Sequence, residues 1–146
     1  MSRKNFDDKI MLCYTEQDKR VILMIERTEY LERLIAYREK QIIKVVTGVR
    51  RCGKSTLFAL YRNYLKTVGV KEEQIISINL EEIEFEELLD CKSLYNYVKS
   101  RLCKDKYTYV FIDEVQNCQS FEKAVDSLFI KDQVDVYITG SNVYML

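Results

Sequence analysis

Apolar positions along this chain follow two rhythms, and the switches between them predict the elements. In "ERTEYLERLIAYREK", Tyr30, Leu31, Leu34 and Ile35 recur at helical spacing with charges between them, so a helix is expected. "QIIKVVTG" is β-branched and closes on a glycine, which predicts a strand at 42–47. "KSTLFALYRNYLKTVG" returns to the helical period, with Leu57, Leu60, Tyr61 and Tyr64 on one face and Gly69 as the stop. "QIISINL" reads as a second strand and is followed by the acidic run "EEIEFEELLD". A helix through "SLYNYVKSRLC", a strand in "YTYVFIDE", a helix in "SFEKAVDSLFI" and a strand in "VDVYITGS" complete the series. Strands that are apolar throughout are covered on both faces. Alternation of strand and helix predicts a parallel α/β sheet with right-handed crossovers.

Composition narrows the class of protein. The chain has 146 residues, 47% hydrophobic and 32% charged, which suits one domain or part of one with a globular core. Lys plus Arg and Asp plus Glu both number 23, so no global field draws the chain to nucleic acid or an anionic membrane. No apolar run approaches the ~20 residues that span a bilayer, and "MSRKNFDDKIML" lacks the character of a signal peptide. The five cysteines, Cys13, Cys52, Cys91, Cys103 and Cys118, form no C-x-x-C pair, and histidine is absent. Scattered thiols in odd number read as reduced cysteines of a cytoplasmic protein.

The chemistry is concentrated in "GVRRCGKST", directly after the 42–47 strand and directly before a helix. Gly48, four residues, then Gly53-Lys54-Ser55 is the spacing of a phosphate-binding loop. Gly48 and Gly53 allow backbone angles that let the N–H groups of Gly48, Val49, Arg50, Arg51, Cys52 and Gly53 turn inward. With the N-terminus of the following helix, those groups hold phosphate oxygens. Lys54 reaches the β- and γ-phosphates as a point charge and counts among the catalytic groups, Ser55 offers a hydroxyl to Mg2+, and Thr56 reaches toward the α-phosphate.

"YVFIDE" supplies the complement. Two acids at the end of a buried strand are costly unless something uses them, and ligands of open α/β sheets bind at the carboxyl ends of strands. Asp113 suits a direct or water-mediated contact to Mg2+ beside Ser55, and Glu114 suits a base for the attacking water. "VDVYITGSN" ends at the same edge, where Asn142, or Ser141, could hold the attacking water or a γ-phosphate oxygen. "INLEE" brings Asn79 there as well. Each of these polar strand ends also has an ordinary reading as a turn residue.

These stretches, "GVRRCGKST", "YVFIDEVQ" and "YITGSN", resemble the Walker A, Walker B and sensor-1 motifs of AAA+-type ATPases over residues 24–146. The pattern is similar to a prokaryotic family of uncharacterised P-loop ATPases in which a C-terminal domain follows the ATPase domain. The resemblance implies a three-layer α/β/α P-loop fold with a mainly parallel sheet. In it the 42–47 strand lies between the "VDVYITGS" strand and a further, outer strand, and the "YTYVFIDE" and "QIISINL" strands follow on the far side. It implies Lys54, Ser55, Thr56, Asp113 and Glu114 as site residues, Asn142 as sensor 1, and Asn79 as the polar residue that restrains the catalytic glutamate in some relatives. Such ATPases continue past sensor 1 into another strand, an arginine finger and often a helical lid, whereas this chain stops at "NVYML". It therefore reads as a fragment of a longer protein, truncated after the sensor-1 strand, with residues 1–23 as an extension of little fixed structure and 24–146 as an incomplete core.

The resulting expectation is a Mg2+-dependent ATPase, weak in this fragment; the alternative is a nucleotide-dependent switch that hydrolyses little. No N-K-x-D sequence selects guanine, and no acceptor pocket for a small-molecule kinase is visible. The expected partners are ATP, the missing C-terminal domain, and a second copy of the chain, because the 42–47 strand would otherwise show an open apolar edge. "RVILMI" is the intramolecular alternative for covering that edge. Nucleic acid is without support, since the basic "KVVTGVRRCGKS" is accounted for by phosphate, and no membrane is expected. The acidic run Glu81 to Asp90 reads as a solvated face or a dock for a basic partner.

Cys52 stands inside the phosphate loop beside Arg51 and near Lys54, a setting that favours its thiolate. Alkylation of Cys52 is expected to block nucleotide, and nucleotide to protect Cys52, as mass-mapped labelling would report. Labelling indifferent to ATP would mark an ordinary loop thiol.

Overall fold

A computed structural model describes residues 9–14, 25–48 and 54–140. Five parallel strands form one sheet: β1 (Lys9–Tyr14), β2 (Ile43–Gly48), β3 (Ile75–Asn79), β4 (Thr108–Asp113) and β5 (Val134–Gly140), in the order β1-β2-β5-β4-β3. Four helices connect them: α1 (Ile25–Ala36), α2 (Lys54–Thr67), α3 (Cys91–Lys99) and α4 (Phe121–Phe129). The α/β class and the parallel sheet are as the sequence predicts.

Strand alternation divides the interior in two. Ile43, Val45, Val110, Ile112, Val136 and Ile138 face α3 and α4, packing on Leu94, Val98, Val125 and Leu128. Val46, Tyr109, Phe111 and Tyr137 face α1 and α2 and pack on Leu34, Leu57, Phe58, Tyr61 and Leu65. All six residues of β4 are buried, as a strand covered on both faces requires.

The buried stripe of α2 lies one residue away from the expected one. Leu57 and Tyr61 are buried as expected, but their companions are Phe58 and Leu65; Leu60 is 38% exposed. The aromatic contacts give the reason. The Phe58 ring meets Phe111 edge-on at 5.2 Å, and Tyr137 stacks on Phe111 at 4.8 Å, so the helix turns Phe58 to the sheet. The expected stop at Gly69 is present: its φ of 97° lets the Val70 N–H donate to the Leu65 carbonyl at 3.0 Å and its own N–H to the Lys66 carbonyl at 3.3 Å. Asp90 caps α3 by accepting from the Ser93 N–H at 2.9 Å. In the acidic run, Leu88 is buried and Phe85 packs inward while Glu81, Glu82, Glu84, Glu86 and Glu87 are exposed, so its carboxylates form a solvated face.

The strand order matches the implied one, with one substitution. The outer place beside β2 is taken by β1, paired from Lys9↔Ile43 to Tyr14↔Gly48. Part of the expected N-terminal extension thus belongs to the sheet, and the edge that suggested a second copy is covered from within the chain. The covering segment is "KIMLCY", not "RVILMI", of which Ile25 begins α1 and the remainder lies outside the described residues. Both stretches are apolar; "KIMLCY" leaves residues 15–42, with the whole of α1, for the crossover that a parallel neighbour needs, whereas Ile25 of "RVILMI" is already part of α1.

At the amino ends of the strands, a charge pair is buried between β2 and β5. Lys44 Nζ lies 2.5 Å from Asp135 Oδ1, both side chains being essentially inaccessible to water. Asp135 Oδ2 accepts from Tyr137 Oη at 2.6 Å and from the Glu39 N–H at 2.8 Å, while Lys44 Nζ also donates to the Lys40 carbonyl at 2.8 Å. Tyr61 Oη extends the chain at 2.7 Å from Tyr137 Oη. Burial lowers the pKa of Lys44 and raises that of Asp135, each partly offset by the other's charge.

Lys44→Met leaves Asp135 buried without its counter-charge, and a loss of about 3–5 kcal/mol in unfolding free energy is expected. Adding Asp135→Asn removes that charge while keeping an acceptor, so the double variant should unfold at a higher denaturant concentration than Lys44→Met. Because the carboxyl pKa is raised in the folded state, protonation favours folding. The deficit of Lys44→Met should therefore shrink as pH falls through that raised pKa. Equal midpoints for the single and double variants would count against the pair.

Candidate functional site

The carboxyl ends of the strands share one edge of the sheet. Asn79 lies beside Asp113 and Thr47 beside Gly140 in the ladder. β2 ends at Gly48 and α2 begins at Lys54, so residues 49–53 join a strand to a helix N-terminus at this edge. Lys54 and Ser55 open the helix, and Thr56 follows in its first turn with an exposed side chain. Val49, Arg50, Arg51, Cys52, Gly53, Ser141 and Asn142 lie outside the described residues.

Asp113 closes β4, and both it and Glu114 are 7% exposed. Glu114 adopts φ 56° and ψ 48°, a left-handed conformation that costs a non-glycine residue about 1–2 kcal/mol. The turn takes Glu114 out of the strand ladder, whose last β4–β5 pair is Ile112↔Ile138. Its N–H donates instead to Thr139 Oγ1 at 3.0 Å, and Thr139 Oγ1 donates to Asp113 Oδ1 at 2.8 Å. On the side-chain side, Gln116 Nε2 donates to Glu114 Oε2 at 2.5 Å. The backbone beyond is a tight turn, with the Asn117 N–H on the Glu114 carbonyl at 3.1 Å.

Asn79 reaches the same edge, where its Oδ1 accepts from the Glu81 N–H at 3.0 Å, the contact of a strand-ending turn residue. The hydrogen bond described for the Glu114 carboxylate comes from Gln116. Neither Gln116 nor Thr139 was singled out from the sequence. The signal for Thr139 was available: a hydroxyl in an otherwise buried strand needs partners, and counting by twos from Asp135 and Tyr137 puts it on the α2 face with Asp113. Above this face Arg62 of α2 sits over the Phe111 ring at 5.6 Å. Burial lowers its guanidinium pKa, and Asp113, then Glu72, pull it back.

The donor set suits a hard cation. Asp113 and Glu114 present oxygen only, and one Asp113 carboxylate oxygen is oriented by the Thr139 hydroxyl. Among the described residues no cluster of three or more His, Cys, Asp or Glu side chains is found that could cage a metal without help. Mg2+ characteristically takes one or two protein carboxylates and completes its shell with water and substrate phosphate. Among the described residues no helix is long and apolar enough to cross a membrane.

A parallel sheet with this strand order, a glycine-lysine-serine sequence where the β2–α2 junction enters α2, and paired acids at the end of β4 define the P-loop class of α/β domain. Residues 40–146 match a family model described as an AAA domain, and the chain belongs to that family of P-loop, ATPase-like domains. It is also 36% identical over 124 residues to a protein of Haemophilus influenzae (strain ATCC 51907 / DSM 11121 / KW20 / Rd) described as an uncharacterized protein. That match covers 84% of this chain and 31% of the relative. No solved structure matches the chain.

The left-handed turn at Glu114 offers a test of strain. Glu114→Gly keeps the N–H to Thr139 and removes the Cβ clash, so an increase of about 1 kcal/mol in unfolding free energy is expected. Urea titration measures it; a lower midpoint would mean that the carboxylate's contacts outweigh the strain.

Proposed function

We propose that this domain binds Mg-ATP at the carboxyl edge of its sheet and hydrolyses it, and that the longer protein couples hydrolysis to an output of its own. The observation that carries this reading is the pair Asp113–Glu114. They are buried at the end of β4, across one intervening strand from the Gly48-to-Lys54 junction, and hydrogen-bonded into fixed positions. Two ordered acids beside a phosphate-binding junction have a cost that a structural turn would not require.

In this reading the backbone of residues 48–53 and the N-terminus of α2 hold the phosphates, and Lys54 adds a point charge to the β- and γ-phosphates. Ser55 and Asp113 hold Mg2+, which supplies charge neutralisation for the phosphates. Glu114 orients the attacking water and accepts its proton, and Asn142 contacts the water or the γ-phosphate. Gln116 fixes the orientation of the Glu114 carboxylate. A nucleotide switch would need the loop but not a positioned carboxylate, which is why hydrolysis is preferred.

Two substitutions in the full-length protein separate binding from chemistry. Lys54→Ala is expected to abolish measurable ATP binding without unfolding the domain. Glu114→Gln is expected to keep Mg-ATP binding and reduce turnover by at least about 100-fold, in line with loss of a general base. Calorimetry and phosphate release with ATP and GTP, with and without DNA, provide the readouts. Unchanged ATP affinity in folded Lys54→Ala would remove the loop from the function. Equal turnover in Glu114→Gln and its parent would remove Glu114 and leave the switch reading.

A further inference from the structure

We propose that Thr139 is a positioning residue that sets both acids of the site through its one hydroxyl, and thereby sets the affinity for the divalent cation. The inference rests on the Mg-ATP reading above and assigns a role to a residue of "YITGSN" other than Ser141 and Asn142.

The geometry leaves the hydroxyl a single arrangement. A threonine hydroxyl has one proton to give and two lone pairs to receive. Here the proton goes to Asp113 Oδ1 at 2.8 Å and a lone pair takes the Glu114 N–H at 3.0 Å. The direction follows from the partners, because a backbone N–H can only donate. The oxygen must therefore turn its own proton to the carboxylate.

The position explains why a side chain does this. The β4–β5 ladder ends at Ile112↔Ile138, and Asp113 and Thr139 are the next residues on each strand. Glu114 has already left the strand at φ 56°, so its N–H points at a side chain instead of a ladder carbonyl. Thr139 replaces the missing rung. Being fully buried on a strand paired on both sides, it is held by its neighbours and does not follow the acids. One rigid hydroxyl thus restrains the carboxylate of Asp113 and the backbone from which Glu114 projects.

A threonine that merely satisfied itself in the core would have no effect on cation binding. A positioning residue would, because partners that orient a metal-holding carboxylate change metal affinity or activity by about 10–100-fold when removed. The informative change is Thr139→Val, which keeps the branched shape and deletes both hydrogen bonds, with Thr139→Ser as the conservative variant.

The experiment titrates Mg2+ against nucleotide binding in the full-length protein by calorimetry, and follows amide exchange at Glu114 without nucleotide. Thr139→Val is expected to raise the Mg2+ concentration for half-maximal tightening about 10–100-fold. Its Mg2+-free nucleotide affinity should be unchanged, and exchange at the Glu114 amide should be faster. Thr139→Ser should restore both quantities. A folded Thr139→Val with the parent's Mg2+ dependence overturns the proposal. If Thr139→Val does not fold, Thr139→Cys carries the same test with a weaker donor and should show an intermediate Mg2+ requirement; parent-like behaviour there also overturns the proposal. A parent protein that binds nucleotide with no Mg2+ dependence would overturn the metal reading itself. Parent-like exchange at the Glu114 amide in Thr139→Val would separately show that the hydroxyl restrains nothing.

Discussion

The centre of the sheet is organised around one buried charge pair, Lys44 with Asp135. Neither charge tolerates its site without the other, because desolvation costs several kcal/mol for each ion. The pair therefore selects the neighbour of β2: the strand that carries a carboxylate at the right height is β5. That choice places Lys44 opposite Tyr137 and Thr47 opposite Gly140 in the same ladder. One contact at the amino ends thus fixes which residues of β5 arrive at the carboxyl ends, where Thr139 meets Asp113. The tyrosine hydroxyls of Tyr61 and Tyr137 complete the satisfaction of the pair, so the apolar layer under α2 contains a polar seam and not a defect.

The intervening strand has a consequence for the site. The phosphate-loop strand and the acid-bearing strand are not neighbours; β5 separates them. Strands of a sheet lie about 4.8 Å apart, so the acids stand roughly 10 Å from the start of the loop. That gap is wide enough for the phosphates and hydrated cation of the proposed Mg-ATP reading. It also makes the top of β5 the floor of the site. Thr139 occupies this floor, and its hydroxyl meets both acids at the end of β4. The left-handed Glu114 turn is the associated strain, and it persists because Thr139 below and the turn through Asn117 above both hold it.

The element types were legible because their signals were local. Apolar strand runs, the glycine stop after α2 and the glycine-lysine-serine spacing each depend on a few adjacent residues, and the described elements follow them closely. Other features depended on partners distant in sequence. The buried stripe of α2 shifted to Phe58 because Phe111 and Tyr137 lie beneath it, and nothing in the helix itself reports that. Lys44 is a charge within the apolar run "QIIKVV", and its partner, Asp135, lies on another strand. The sequence marks Thr139 only as a hydroxyl in a buried strand, which calls for partners without naming them. Its own role depends on a turn at Glu114 that only three-dimensional pairing reveals.

The outer strand bears on the site through the geometry of Gly48. A phosphate loop built from backbone N–H groups has few side-chain contacts to steady its entry, so the strand leading into it must supply the rigidity. A strand at the sheet edge would do this poorly, since one row of its hydrogen-bonding groups is unpaired and its end can fray. With β1 in place, β2 is paired on both sides up to the loop: Tyr14 lies opposite Gly48, and Gly140 opposite Thr47. The loop therefore departs from a strand held by two ladders. Residues far from the motif in sequence thus steady the end of β2 through backbone hydrogen bonds. In the described residues, β1 therefore bears on the carboxyl edge through backbone pairing with β2.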